Sequence, residues 1–297
     1  MRSPLLLLPI LSGVMWGAAG VFVRTLSDWG MDGTTIVFTR VSLAALMVLA
    51  VILATDRSML RVRPRDIWMF VVCGLSMVGL NVFYTVSVDS VSLSLAAVLL
   101  SLSPVFMLLM ARAVFGERIT SRKIFCMIAS IMGCIMVSGV LEGESQLSAS
   151  GVVAGLASAM FYAMYGLISK RAGSWGYGTY TILFYSLLVS TVALLPLSDL
   201  GDMWRYAAQG PADLGYLVLH AAAASFLPYV LYTAAMTRIE AGTASILAAC
   251  GEPTAAAVFG LLIFSEVPSP FMLLGMVVAI GSMAMMCMPH REAERKS

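Results

Sequence analysis

Ten apolar stretches of about 20 residues each run through this chain, and they limit its fold more than any other feature. They fall at 4–23, 33–54, 66–88, 91–114, 122–140, 150–170, 179–198, 213–236, 242–264 and 269–288. A helix rises about 1.5 Å per residue, so about 20 apolar residues cross a hydrocarbon core of about 30 Å. There, every backbone N–H and C=O must be satisfied within a helix or around a closed barrel. The runs are too long for barrel strands and lack their alternation. Gly and Pro inside them are no objection, because membrane helices tolerate both. The expectation is an all-α integral membrane protein with ten transmembrane helices. Composition agrees: 60 % of the residues are hydrophobic, 11 % are charged, and the mean hydropathy is +0.93. A soluble surface needs roughly a quarter of its residues charged, so membrane lipid is the expected neighbour. The first run lacks a small-residue cleavage site and is read as a retained span.

The charges between the runs alternate in sign. Arg57, Arg61, Arg63 and Arg65 follow span two, and Arg118, Arg122 and Lys123 follow span four. Lys170 and Arg171 close span six, Arg238 follows span eight, and Arg2, Arg291, Arg295 and Lys296 mark the ends. The opposite loops hold Asp28, Asp32, Asp89, Glu142, Glu144, Asp199, Asp202 and Asp213. By the positive-inside rule, both termini are expected in the cytoplasm and the protein in the cytoplasmic (inner) membrane. The formal net charge of +2 is scattered and forms no stripe, so nucleic acid is not an expected partner. Cys73, Cys126, Cys134, Cys250 and Cys287 all lie inside apolar runs without metal-like spacing, and read as small packing residues.

The chain also echoes itself. Pro104 and Glu117 recur as Pro253 and Glu266, both displaced by 149 residues, and Val114-Phe115-Gly116-Glu117 parallels Ile263-Phe264-Ser265-Glu266. Each half holds five runs, an odd number, so a duplicated half must enter the membrane upside down. Residues 1–147 and 148–297 are the expected repeats, with the acidic stretch Glu142–Ser150 as their seam. Inverted repeats are the plan of secondary transporters, whose solute site lies near the bilayer midplane where the halves meet.

Five-helix halves with a Pro in the fourth helix and a Glu thirteen residues later resemble the drug/metabolite transporter superfamily, specifically its EamA-type members. Trp16-Gly17 in span one, Arg40 in span two and Glu252-Pro253 in span nine add to the resemblance, which covers nearly the whole chain. It implies ten helices around a central cavity walled largely by spans one, three, four, six, eight and nine. It also implies export of small metabolites, amino acids or toxic compounds, coupled to protons or to exchange, with no cofactor.

Ionisable groups at membrane depth are costly and so are candidates for function. Glu252 lies about ten residues into span nine, roughly 15 Å from its start and near the midplane. Its repeat partner is Ser103, so the carboxyl breaks the internal symmetry. It is the candidate for solute binding and proton coupling; the competing reading is a permanently protonated group bonded to a neighbouring helix. Arg40 stays charged in practice and needs a carboxylate, a carbonyl cluster or water. A solute carboxylate, Glu252 and an outward snorkel are its open alternatives. Arg24 reads as interfacial.

Asn81 and Tyr84 share a face of span three and correspond, at an offset of 148, to Tyr229 and Tyr232 of span eight. Trp16-Gly17 corresponds to Tyr165-Gly166, with Tyr162 on the same face of span six. These polar-tipped rings are candidates to line a solute cavity; interfacial belting is the alternative. His220 reads as a packing histidine, with a proton relay as its alternative. Pro104 and Pro253 are candidate helix hinges. Glu117 and Glu266 read as structural helix-end residues bonding backbone or loop groups.

The resulting expectation is a secondary active exporter of amino-acid-like, aromatic or amphiphilic solutes, working by proton-coupled alternating access. An uncoupled facilitator, exchanger or importer of the same solutes is the alternative. An enzyme is disfavoured, because the chain has two histidines, no HExxH, no paired intramembrane aspartates and no nucleophile beside a base. The expected partners are a small solute, protons and lipid; a monomer and a dimer are both compatible with the sequence.

Overall fold

The structure, a computed structural model, describes residues 3–91, 93–138, 140–141, 148–265 and 269–288. Glu266, most of the seam and the basic groups of both termini lie outside the described residues. Thirteen α-helices follow one another among those residues: α1 Ser3–Asp28, α2 Gly33–Thr55, α3 Ile67–Ser90, α4 Leu93–Leu100, α5 Ser103–Phe115, α6 Ser121–Val137 and α7 Ala149–Ser174. Then come α8 Thr179–Leu194, α9 Leu200–Ala207, α10 Pro211–Ala221, α11 Leu227–Met236, α12 Ala241–Phe264 and α13 Pro270–Cys287. The protein is an all-α membrane protein.

Nine segments among the described residues are long and apolar enough to cross a membrane. The expected fifth span, 122–140, is the exception. It forms the 17-residue α6, at the lower limit for a crossing helix. Ser138 is its C-cap and donates its hydroxyl to the Ile135 carbonyl at 2.9 Å.

Local chemistry sets the other boundaries. Asp32 caps α2 by accepting the Thr35 N–H at 2.9 Å, Thr120 caps α6, and Ser269 caps α13 ahead of Pro270. Gly116 ends α5 in the left-handed region at φ 65°, and its repeat counterpart Ser265 ends α12 at φ 56°.

Two spans expected to be continuous are interrupted, each at a proline. Span four breaks at 101–102, and Pro104 sits in the first turn of α5. Proline has no N–H to give the carbonyl four residues back and its ring crowds that carbonyl. The helix therefore stops at Leu100 and restarts. Span eight passes through a π-helical turn, Ala222–Phe226, just before Pro228. Pro253 instead lies inside an unbroken α12.

Most of the packing joins the two halves. α1 packs on α12 and α11, α3 on α7 and α8, α2 on α8, and α6 on α13. The α1–α12 crossing is close enough to require glycine. A Cβ at Gly13 would lie 2.2 Å from the Ala248 carbonyl oxygen, and one at Gly17 would lie 2.2 Å from that of Glu252. Small residues serve this purpose in membranes, where packing replaces the hydrophobic effect.

Candidate functional site

Rings from α1, α7 and α11 meet in the middle of the bundle. Trp16 stands edge-on to Tyr162, Tyr229 and Tyr232, with centroids 5.5, 5.2 and 5.3 Å away. Tyr162 lies against Tyr232 at 5.4 Å, and Tyr165 is edge-on to Tyr229 at 5.4 Å. The expected residues are thus brought together, but they face one another. The four tyrosines are buried, with Tyr165 and Tyr232 at 0 % exposure, and they close the space expected to be a cavity.

Their hydroxyls are unequally served. Tyr165 shares a 2.6 Å hydrogen bond with Thr233. Among the described residues the Tyr162 and Tyr232 hydroxyls have no hydrogen-bond partner, although they lie near each other and Tyr232 lies near Ser245. Buried polar atoms without partners cost about 1–3 kcal/mol each, so such positions call for an explanation.

Arg40 is held by neutral partners. Its guanidinium donates to the Ala224 carbonyl and to Ser225 Oγ, both at 3.1 Å, and to Asn81 Oδ1 at 2.7 Å. Asn81 is itself anchored, donating to the Met77 carbonyl at 2.7 Å. Ala224 lies in the π-helical turn just before Pro228, which has no N–H to offer it. Arg40 supplies that donor. The ion pair with Glu252 and the outward snorkel are therefore not what the side chain does. Pro228 and Ser225 were missed in the sequence, although the signal was there: a proline within one span and a lone cation in another.

Glu252 is half-buried and, among the described residues, its carboxyl has no hydrogen bond or ion pair. Tyr84 from α3, Cys134 from α6, Tyr162 from α7 and Tyr229 from α11 surround it within electrostatic range. Neighbours on four helices place it inside the bundle and away from lipid. Trp16, Arg40, Asn81 and Tyr84 are likewise half-buried. His220 is fully buried and stacked on Phe22 at 5.4 Å, and neither ring nitrogen has a partner among the described residues.

At the arginine-rich end, the bundle is tied shut. Glu117 accepts the backbone N–H groups of Ala241 at 2.9 Å and Gly242 at 3.3 Å, capping α12. It also pairs with Lys170 at 3.3 Å and Lys123 at 3.9 Å. Lys123 reaches Glu240 at 2.9 Å, and Lys170 donates to the Ile239 carbonyl at 2.6 Å. From the sequence these lysines are expected only to set the topology. Here they join the α5–α6 link of one half to α7 and the α11–α12 link of the other.

The EamA-like transporter family matches the chain twice, over residues 3–139 and 149–288. The chain belongs to that family and is a multi-pass, small-molecule transporter. It is 29 % identical to a probable terminal-alkyne amino-acid exporter of Streptantibioticus cattleyicolor, over 97 % of this chain and 94 % of that one. It is 27 % identical to the pseudopaline exporter CntI of Pseudomonas aeruginosa, over 92 % of each. The threonine/homoserine exporter RhtA of Escherichia coli is also 27 % identical, over 70 % of this chain and 67 % of its own. A crystal structure with 17 % identity superposes with a TM-score of 0.78 over 96 % of each chain, a likeness of fold.

Proposed function

We propose that the protein exports amino-acid-like metabolites by alternating access, with Glu252 exchanging a proton for the solute. The observation that carries this reading is the unpaired Glu252 carboxyl inside the bundle, ringed by neutral groups while Arg40 is engaged elsewhere. A carboxyl with no compensating cation is costly to keep charged in such a place. It can hold a proton in one state and release it to water in the other, where the carboxylate takes a solute ammonium in the proton's place. The unpartnered Tyr162 and Tyr232 hydroxyls are the acceptors and donors that a polar solute would meet once the rings part.

Two further points belong to the same reading. The pairings of spans map onto themselves when the halves are exchanged: α3 on α7 matches α1 on α11, while α2–α8 and α6–α13 map onto themselves. This supports two inverted repeats, with their boundary near 147–148. The termini lie in the cytoplasm, so the closed, arginine-rich end faces inward. Cysteines placed at 199–213 should react with an impermeant reagent in intact cells, and labelling at 57–65 instead would reverse the orientation.

Glu252→Gln keeps the shape and removes the titrating group. In proteoliposomes given only a proton gradient, it should abolish uphill movement of threonine or a related amino acid that the wild type accumulates. Exchange at zero gradient should survive. If the variant still concentrates the solute, Glu252 is not the coupling group.

A further inference from the structure

A cavity of about 700 Å³ opens at the arginine-rich end, away from the aromatic cluster. Arg61, Arg63 and Arg238 stand at its mouth. None of the three guanidinium groups pairs with a carboxylate or bonds a carbonyl among the described residues. Two nearby acids are already engaged. Asp66 is buried and accepts from Tyr177 Oη at 2.7 Å, with Arg65 at 3.5 Å. Asp56 lies near Arg61, but its oxygens accept the Ser58 N–H and hydroxyl at 2.8 and 2.6 Å. The mouth therefore carries three guanidinium groups against one nearby acid, Asp56, and a buried one, Asp66, neither of which is bonded to them.

The cavity's inner wall is of another kind. Val230 and Ala234 follow one another at helical spacing on α11, and Arg238 continues the row one turn later. That row is about 12 Å long. It is a different face of α11 from the one bearing Tyr229, Tyr232 and Thr233, so the cavity is not the solute path described above. The wall bearing Arg61 and Arg63 is pinned. Thr181 Oγ1 donates to the Met59 carbonyl at 2.9 Å, Tyr185 Oη to that of Leu60 at 2.7 Å, and the Arg63 N–H to Tyr177 Oη at 3.1 Å. A second hollow of about 480 Å³ beside Arg63, Arg65 and the exposed Trp175 extends the basic rim.

We propose that this cavity binds the phosphate headgroup of an anionic amphiphile, whose apolar chain lies along Val230 and Ala234. Guanidinium forks match phosphate oxygens, and basic pockets between membrane helices take anionic headgroups. Trp175 at the rim fits the headgroup depth, where indoles are enriched. A free phosphate would use the mouth and leave the apolar wall without a role, so a phospholipid is the fuller match.

The test is native mass spectrometry of the full chain in detergent, titrated with phosphatidylglycerol or with phosphatidylcholine of the same chain length. The wild type should favour phosphatidylglycerol roughly tenfold or more, given about 1 kcal/mol per surface arginine. Arg61→Gln/Arg238→Gln should erase that preference. Arg57→Gln/Arg118→Gln, which removes as much charge outside the cavity, should keep it. Ala234→Phe fills the cavity without touching charge and should also block binding, which keeps the test decisive if the double variant folds poorly. Glycerol phosphate separates the two sources: failure to displace the lipid at equal concentration supports a lipid site, and full displacement supports a soluble phosphate at the same arginines. Equal binding of the two lipids by the wild type, or an undiminished preference in both cavity variants, overturns the proposal.

Discussion

Glu117 should govern both the stability of the fold and the balance between its open and closed states. Its side chain is 9 % exposed, and it serves two backbone donors and two lysines. Removing one member of a buried ion pair costs about 3–5 kcal/mol, and a hydrogen bond to a charged group contributes about 1.5–3 kcal/mol. Glu117→Gln keeps one carbonyl oxygen for the Ala241 N–H. The lysines also keep Glu240 and the Ile239 carbonyl, which they already reach. The expected loss is therefore nearer 2–3 kcal/mol, about the value of one charged hydrogen bond. Unfolding can be followed with a thiol-reactive dye, because Cys73, Cys126, Cys134 and Cys250 are buried in the native state. The network joins the halves only while this end is closed, so much of the loss should appear as a population shift. A difference of 2 kcal/mol changes an equilibrium about 30-fold. A cysteine replacing the buried Met236, in a background without native thiols, should then be alkylated faster by up to that factor. An unaltered unfolding midpoint together with an unaltered labelling rate would refute the assignment.

Two other substitutions test neighbouring parts of the site. Arg40→Met orphans the Ala224 carbonyl and the Asn81 amide oxygen and should destabilise the protein by about 2–4 kcal/mol. Pro228→Ala restores an N–H to that carbonyl, so a double-mutant cycle should show coupling of about 1 kcal/mol; additivity within about 0.5 kcal/mol would dissociate Arg40 from the proline. Tyr162→Phe and Tyr232→Phe remove hydroxyls that have no partner in the closed state, so they should leave stability unchanged or raise it by about 1 kcal/mol while weakening solute binding. Lower stability with unaltered affinity would make these rings packing residues only.

Nine of the ten expected spans were legible because hydropathy over about 20 residues is a strong signal. Their interruptions were less so. The sequence predicts a kink at Pro104, where the helix instead breaks, and does not show that Arg40 serves the turn before Pro228. A proline's effect depends on whether a neighbour can serve the carbonyl it strands, and that neighbour is 184 residues away in sequence. Repeat register pointed to Trp16, Tyr162, Tyr165, Tyr229 and Tyr232 as one set. That they close on one another is a property of conformational state, which rests on differences of a few kcal/mol that no residue type announces. α6 ends at Val137, with Ser138 as its cap, although the apolar pattern continues.

The two repeat-related prolines end in different roles, and the difference bears on where a single carboxyl can work. Before Pro104 the chain gives way, and Ser103, fully buried with its hydroxyl unpartnered, starts a new helix. Before Pro253 the helix continues, although the Ala249 carbonyl has lost its donor. α12 is held through that weak point by α1, whose Gly13 and Gly17 admit the carbonyls of Ala248 and Glu252 on either side of it. Glu252 is thus carried on a helix weakened one turn earlier and supported from one side, while Tyr84, Cys134 and Tyr162 approach it from other elements. In the proposed cycle, bending at that turn alters the carboxyl's surroundings without moving the ring cluster as a body. Ser103 could not serve in its place, because a hydroxyl neither accepts nor releases a proton near neutral pH. In the proposed cycle a single titrating group, Glu252, therefore carries the exchange.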